Sequence, residues 1–330
     1  MIKLKTFGSF TVGNDLTSVP EGAWRSEKLE KLFVYLAINR NRGVCIEDIS
    51  EAIWQVEEET DNPVGALKNL AYRLRKALRD ASFDEECIVS VRGGLYKWND
   101  DVEVTIDVEE FDRYINEAEM AFCRSKETAI ESYEKAIALY HGDFLPLRTD
   151  THWFMTLNAF YHSRYVNTVK ALAKLYIDTG CYEKLEQLCT KAIVYERSDE
   201  QIYSYLIVAR MRTKKVQMAF DTYETAKAIM DKDLGVRKTV MLNKVYEELL
   251  SVTKGASSYN IDEVKDDISE ESMNGVFMCG YPVFKEIYQL EVRKSARSTI
   301  PESLVLVTVV PMYSSQPDKN HSQMKDSMHT

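Results

Sequence analysis

Long hydrophobic runs are missing from this 330-residue sequence. A membrane-spanning helix needs about 18 or more apolar residues in succession, and none occurs here. The first seven residues, MIKLKTF, alternate as a strand does and lack the apolar core of a signal peptide. Six cysteines are scattered without a CxxC pair or a histidine at metal-ligand spacing. We therefore expect a reduced, cytoplasmic chain with no membrane segment, metal or cofactor.

Catalytic motifs are also missing. The sequence has neither a glycine-rich loop for phosphate nor a nucleophile motif, so we expect no enzyme and no catalytic residues. His141, His152 and His162 are 11 and 10 residues apart and share no adjacent helical turns. We expect these histidines to be ordinary buried or surface residues, and Cys181 and Cys189 to be core thiols.

Positive charge is scarce on average but concentrated locally. The formal net charge is -10, which as a bulk average disfavours nucleic-acid binding, although binding surfaces are local. Residues 68–79 carry five positive side chains and no acid. The acidic residues gather in residues 57–61, 105–252 and 253–274. When the net charge is divided among the segments, the sequence contains one strongly basic predicted helix in an otherwise acidic protein.

Turn residues are few between residues 105 and 252, which contain three glycines and one proline. This composition and the repeated Leu, Ala and Tyr predict helices throughout. An offset of 34 residues aligns Leu172 with Leu206, Tyr182 with Val216 and Ala192 with Ala226. That offset is the tetratricopeptide (TPR) period, in which each unit is a pair of antiparallel helices. Residues 105–252 are therefore predicted to form a TPR-like helical domain.

The first hundred residues have a mixed pattern. Residues 2–12 alternate and end at a turn signal, which predicts a strand or hairpin. Helical periodicity follows from Ser26 as an N-cap, again from residue 46, and a third time from Asn62, with Pro63 in the first turn. Two short β-prone runs around Gly93 and Gly94 predict a second hairpin. This order is that of a winged helix-turn-helix over residues 1–100, so the predicted fold is mostly α with a small β component.

The third predicted helix is the candidate DNA reader. Five apolar residues, from Leu67 to Leu78, occupy one face. Lys or Arg in the major groove can contact guanine, and Asn69 suits adenine. Arg92, at the predicted hairpin tip, is placed to enter a minor groove or to contact phosphate. The alternative is a solvated basic face, but the helix and hairpin in this order favour DNA binding. The candidate DNA-binding residues are Lys68, Asn69, Tyr72, Arg73, Arg75, Lys76, Arg79 and Arg92.

These segments resemble a known family. Residues 73–78 (RLRKAL) and 91–96 (VRGGLY) are similar to the recognition helix and wing of OmpR/PhoB-type winged helices. The wing departs from the usual Arg-Gly-x-Gly-Tyr pattern. Residues 130–146 (IESYEKAIALYHGDFLP), followed by Trp153 and TPR-like helices, resemble the bacterial transcriptional activator domain (BTAD). A winged helix joined to that domain is the plan of the streptomycete antibiotic regulatory protein (SARP) family.

The SARP resemblance covers about residues 1–252 and implies a transcription activator. It implies that two copies bind direct repeats in double-stranded DNA side by side and recruit RNA polymerase. It also implies that the loop before the third helix contacts the sigma or alpha subunit of the polymerase. The alternative for this loop is an ordinary solvated surface. No receiver domain precedes the winged helix, so aspartyl phosphorylation is not expected. The acidic residues of the loop are Glu57, Glu58, Glu59 and Asp61.

The remaining residues form three predicted segments. Residues 253–274 contain two lysines and six acids and predict an acidic linker with a charge of -4. Residues 275–313 resemble the opening strand, helix and strand of a GGDEF-like nucleotide-cyclase domain. The GGDEF motif is absent and these elements are too few for that core, so we expect an incomplete α/β segment. Residues 314–330 are polar and predict a disordered tail.

Three questions remain open from the sequence. The chain could be a protein-interaction module in which the winged helix is only a docking surface, without specific DNA binding. Its helical domain could serve dimerisation, as a homodimer, or regulation. The tyrosines of that domain could line a concave groove, although packing between helices is favoured. They are Tyr161, Tyr165, Tyr176, Tyr182, Tyr203, Tyr205 and Tyr223.

Overall fold

The computed structural model describes most of the first 256 residues. Contacts divide the chain into two compact units, Met1–Ala256 and Ser257–Thr330, and in the second only five residues, all helical, are described. The predicted incomplete α/β segment and tail therefore lie almost wholly outside the described residues. Among the residues that are described, no helix is long and apolar enough to cross a membrane. The structure describes residues 1–14, 17–19, 22, 24–54, 62–83, 87–91, 94–146, 151–234, 239–256, 287–288 and 290–292.

The chain opens with an antiparallel hairpin, as its alternating residues predict. Strands β1 (Ile2–Lys5) and β2 (Thr11–Gly13) pair, and β3 (Ser18–Val19) adds to β2. The sheet order is β3-β2-β1-β6, because β6 (Val104–Ile106) pairs in parallel with β1. The sequence did not reveal this fourth strand, since its partner lies about a hundred residues away and leaves no local signal.

Three helices follow the first sheet, as predicted. They are α1 (Glu27–Ile38), α2 (Ile46–Ile53) and α3 (Pro63–Asp80). The predicted cap of α3 is confirmed, because the Asn62 side-chain oxygen accepts a hydrogen bond of 2.9 Å from the Gly65 amide. Such a bond satisfies a backbone donor that the first helical turn leaves unpaired.

A second hairpin follows α3. Strands β4 (Ile88–Val91) and β5 (Leu95–Trp98) are antiparallel, with Val91 opposite Leu95. Residues 92–94 connect them, and Gly94 has a φ of 79°, the left-handed conformation that three-residue hairpin loops require. Strand β5 is also held from the other side, because Tyr96 exchanges two backbone hydrogen bonds of 2.8 Å with Val44. The predicted hairpin is thus confirmed.

Among the described residues up to Ala256, seven helices follow β6, and each packs against the next. The 34-residue offset is confirmed, because Tyr182 and Val216 are the first residues of α7 and α9, and Ala192 and Ala226 are both buried inside them. The helices are α4 (Asp107–Ala121), α5 (Lys126–Leu139), α6 (His152–Thr179), α7 (Tyr182–Tyr195), α8 (Glu200–Arg212), α9 (Val216–Leu234) and α10 (Val240–Ala256). The last turn of α10 includes the first residues of the predicted linker.

The tyrosines of the helical segment mainly pack in the core, as favoured from the sequence. Five of the seven are buried, whereas Tyr182 and Tyr205 are half-buried. Tyr165 stacks on Tyr140 with ring centroids 3.8 Å apart. Tyr165 and Tyr176 also contribute to a groove of about 650 Å³ between α5, α6 and α7. Cys189 is buried as expected, whereas Cys181 is half-buried.

Asp107, the first residue of α4, ties the helical segment to the first sheet. Its buried carboxylate accepts hydrogen bonds from the Thr6 amide (2.7 Å), the Thr6 hydroxyl (2.6 Å), the Phe7 amide (2.9 Å) and the Val108 amide (2.9 Å). Burial raises the pKa of Asp107, and these four donors oppose that rise. The carboxylate thus satisfies backbone donors of the loop after β1 and of the first turn of α4.

Three further contacts join the two parts of the first unit. Arg40, after α1, donates to Glu109 in α4, with Nη2 2.8 Å from Oε2. The Thr151 hydroxyl donates 2.8 Å to the Ala52 carbonyl in α2. The ring of Tyr35 packs edge-on against that of Trp153, with centroids 4.8 Å apart. Buried side chains from both parts belong to one hydrophobic cluster.

Candidate nucleic-acid interface

Helix α3 separates apolar and polar side chains onto different faces. Leu67, Leu70, Ala71, Leu74 and Leu78 are buried in the core. Residues four apart lie above one another on a helix, so the exposed side chains form two neighbouring rows. Lys68, Tyr72 and Lys76 make one row, and Asn69 and Arg73 the other. The first row is about 12 Å long at 1.5 Å per residue.

The exposed face of α3 is positively charged, and its cations are accessible to a binding partner. Lys68, Arg73 and Lys76 form no ion pair with any residue in the described part of the chain. Tyr72 lies between them with 66% of its surface exposed. Arg79 is exposed as well, but it already interacts with other groups of the protein. We call Lys68, Asn69, Tyr72, Arg73 and Lys76 the α3 basic face.

Arg75 lies apart from this face. It is half-buried, and its guanidinium donates from Nε (3.3 Å) and Nη2 (2.9 Å) to the carbonyl oxygen of Ile88 in β4. The helix position of Arg75, beside the buried Leu74 and Leu78, was the available sequence signal. The acceptor of the Arg75 hydrogen bonds could not be predicted, because every residue has a backbone carbonyl and the sequence does not show which one lies nearby.

A buried aromatic contact holds the hairpin against α1. Trp98 packs edge-on against Phe33 of α1, with ring centroids 5.4 Å apart, and its indole nitrogen donates 2.8 Å to the Val102 carbonyl. Arg92, the candidate DNA-binding residue predicted at the tip of the hairpin, lies outside the described residues. So do Glu57, Glu58, Glu59 and Asp61, the predicted polymerase-contacting loop.

The arrangement suits an elongated polyanion better than a small charged substrate. A helix with one buried face and one cationic, hydrogen-bonding face fits the width of the DNA major groove, where Lys and Arg pair with guanine and Asn with adenine. A metal site is not part of it. Within the described ranges, no group of three or more His, Cys, Asp or Glu side chains could hold a metal ion.

Comparison with known proteins assigns both parts of this arrangement to families. Residues 23–98 match the family described as "Transcriptional regulatory protein, C terminal", and residues 106–250 match the bacterial transcriptional activator domain. Transcriptional regulator RedD of Streptomyces coelicolor is 24% identical over 238 residues, which are 71% of this chain and 67% of RedD. The first matched segment contains α3 and both strands of its hairpin.

A solved structure shows a similar fold. Mycobacterium tuberculosis EmbR, solved in complex with a low-affinity phosphopeptide, superposes with a TM-score of 0.59 at 20% identity, over 80% of this chain and 70% of EmbR. The TPR domain of Arabidopsis OM64 matches with a TM-score of 0.31 at 14% identity, over 44% of this chain and 98% of that one.

The chain is therefore a transcriptional regulator in which a winged helix precedes a bacterial transcriptional activator domain with TPR-like helices. The order of the two matched families is that of the SARP-type transcriptional activators, which the sequence also resembles.

Proposed function

We propose that this regulator binds specific double-stranded DNA through the α3 basic face. The observation that carries the proposal is that Lys68, Arg73 and Lys76 are exposed opposite five buried apolar residues of α3 and form no ion pair with the described residues. The net charge of -10 of the whole chain weakens non-specific attraction to phosphates. Affinity then depends more on base contacts, in which Arg73 and Lys76 suit guanine and Asn69 suits adenine.

The test combines selection and mutation in the full-length chain. Purified protein should enrich a limited set of fragments from the organism's own genome. Arg73→Ala/Lys76→Ala should weaken binding to these fragments by about tenfold or more, since a single base contact by arginine contributes about 1–3 kcal/mol. Both side chains are exposed, so circular dichroism should show unchanged folding.

A matched control removes the same charge from the helical domain. Lys174→Ala/Arg212→Ala changes two exposed cations of α6 and α8 and should leave DNA affinity unchanged. Equal affinity of both double variants and the parent chain would refute the role of α3. If the parent chain enriches no fragment at all, the protein-interaction alternative replaces DNA binding.

We extend the proposal to activation. Two copies bind direct repeats side by side, and the acidic residues Glu57, Glu58, Glu59 and Asp61 contact a basic patch on the sigma or alpha subunit of RNA polymerase. The helical domain provides dimerisation or regulation. Replacing the four acids by Ala should abolish activation in transcription with purified components while DNA affinity is retained. Retention of full activation would refute the contact.

A further inference from the structure

Strand β4 has only limited support from other strands. Among the strands that the structure describes, β4 pairs with β5 alone, whereas β5 also pairs with Val44. On the side of β4 away from β5, the carbonyl of Ile88 points toward α3 and accepts both hydrogen bonds from Arg75. The Ile88 side chain is itself buried in the core. One residue of β4 is therefore tied to both the core and α3.

We propose that Arg75 is a positioning residue that fixes the β4–β5 hairpin against α3, and not a DNA contact. Its planar guanidinium presents two donors in a fixed geometry to one oxygen, which defines direction as well as distance. A hydrogen bond from a charged donor is also stronger than one between neutral groups. The proposal assigns to Arg75 a role different from that of Arg73 and Lys76, which are exposed on the same helix.

This role has a consequence for DNA recognition, and that consequence rests on the proposed function. A winged helix contacts DNA at two places, the recognition helix and the hairpin, and their separation must match the spacing of grooves and phosphates. Arg75 sets that separation because it joins the two elements directly. Losing it should weaken binding without removing any contact to phosphate.

The experiment compares Arg75→Met with Arg73→Met in the full-length chain. Methionine keeps an unbranched side chain but removes the charge and all donors, so both variants lose the same groups. In the absence of DNA, hydrogen exchange of the amides of residues 87–98 should become about tenfold faster in Arg75→Met. It should stay unchanged in Arg73→Met, and amides of α8 serve as an internal reference in both.

When DNA is added, the salt dependence of binding distinguishes a residue that positions the hairpin from one that contacts phosphate. Each phosphate contact contributes about 0.9 to the slope of log K against log salt concentration. Arg75→Met should lower affinity with the slope unchanged. Arg75→Lys keeps the charge but not the two-donor geometry, so it should show intermediate hairpin exchange and the parent slope.

Two results would overturn the proposal. One is unchanged hairpin exchange in Arg75→Met. The other is a loss of about 0.9 in its salt slope, as expected for a phosphate contact. The exchange measurement needs no DNA, so it remains decisive if the parent chain binds none. Failure of the proposed function is thereby distinguished from failure of the positioning role.

Discussion

Both ring nitrogens of His162 face a carboxylate. Nδ1 is 3.0 Å from Asp143 Oδ1 and 3.2 Å from the Tyr140 hydroxyl, and Nε2 is 3.1 Å from Glu196 Oε2. Burial acts to lower the pKa of His162, but the hydrogen bonds with Glu196 and Asp143 outweigh it and raise the pKa above the ordinary value of 6.5. The doubly protonated ring, which donates from both nitrogens, is the form that fits this site.

We predict that stability of the folded chain falls as the pH rises past the range in which His162 titrates. A histidine whose pKa is raised by folding stabilises the folded state fully below its unfolded pKa, and this contribution is lost as the pH rises through the folded pKa. Urea unfolding at intervals from about pH 6 to 8.5 measures the effect. His162→Gln should reduce this dependence, whereas His152→Gln, at an exposed position, should keep it. Identical pH profiles of all three proteins would contradict the prediction.

At the residue scale, the sequence predicts which side chains share a helix face better than it predicts their hydrogen-bond partners. The polar face of α3 follows from helical periodicity alone. The ring of His162 meets residues 19 and 34 positions away in the chain, and Arg75 meets a carbonyl 13 positions away. Such contacts depend on how elements pack, so single-residue patterns do not contain them. The spacing of the histidines therefore predicts only an ordinary buried or surface residue at position 162.

At the element scale, two loops approach each other closely. Gly8, between β1 and β2, donates 2.9 Å from its amide to the carbonyl of Asp143, in the connection between α5 and α6. Gly8 has a φ of 77°, and Gly142 has a φ of 135°. A β-carbon on Gly8 would overlap the His141 carbonyl oxygen. Glycine is therefore required at position 8 for both its conformation and its small size.

Gly8→Ala should destabilise the chain far more than Gly180→Ala. Gly180 ends α6 with a φ of 72°, nearly that of Gly8, but a β-carbon there meets nothing within 4 Å. Both variants lose about 1–2 kcal/mol from the left-handed conformation, and Gly8→Ala has the added overlap. Urea unfolding of the two variants measures the difference, which isolates the cost of the overlap. Equal losses would mean that the loops separate at no cost.

Element boundaries were largely predictable, whereas sheet pairing was not. Periodicity and the Asn62 cap located α3, and the Gly-Gly pair located the hairpin. The parallel pairing of β6 with β1 is not predictable from the sequence. The segment Val104–Ile106 has only three residues, which is too few for a recognisable alternation, and no turn signal marks it. The predicted boundary at residue 100 lies before this short strand and that at residue 105 lies inside it, and both remain predictions.

At the scale of the whole molecule, the winged helix and the helical domain are joined by a common core. Phe7, after β1, packs edge-on against Phe111 of α4 and Tyr161 of α6, with ring centroids 5.2 and 5.6 Å apart. Domains are usually separated by a flexible linker. Here the Phe7 contacts and the hydrogen bonds of Asp107 hold the two parts together. Residues 1–256 should therefore unfold as one cooperative body.

Two probes test this cooperativity. All four tryptophans, at positions 24, 54, 98 and 153, lie before or at the start of α6, so fluorescence reports mainly on the winged helix and the junction. Far-ultraviolet circular dichroism reports mainly on the longer helices α4 to α10. The two urea transitions should coincide in the full-length chain. Midpoints that differ clearly would indicate that the parts unfold independently. Asp107→Ala, which removes the acceptor for four donors, should shift both probes together.

The position of β6 also constrains how such a protein can change over generations. A recombination event at residue 100 would separate β1 from the strand that completes its sheet and Thr6 from the carboxylate of Asp107. An insertion of one residue before Val104 would turn the side chains of β6 to the opposite face. Both changes should destabilise the folded chain, so we expect the two parts to be inherited as a unit.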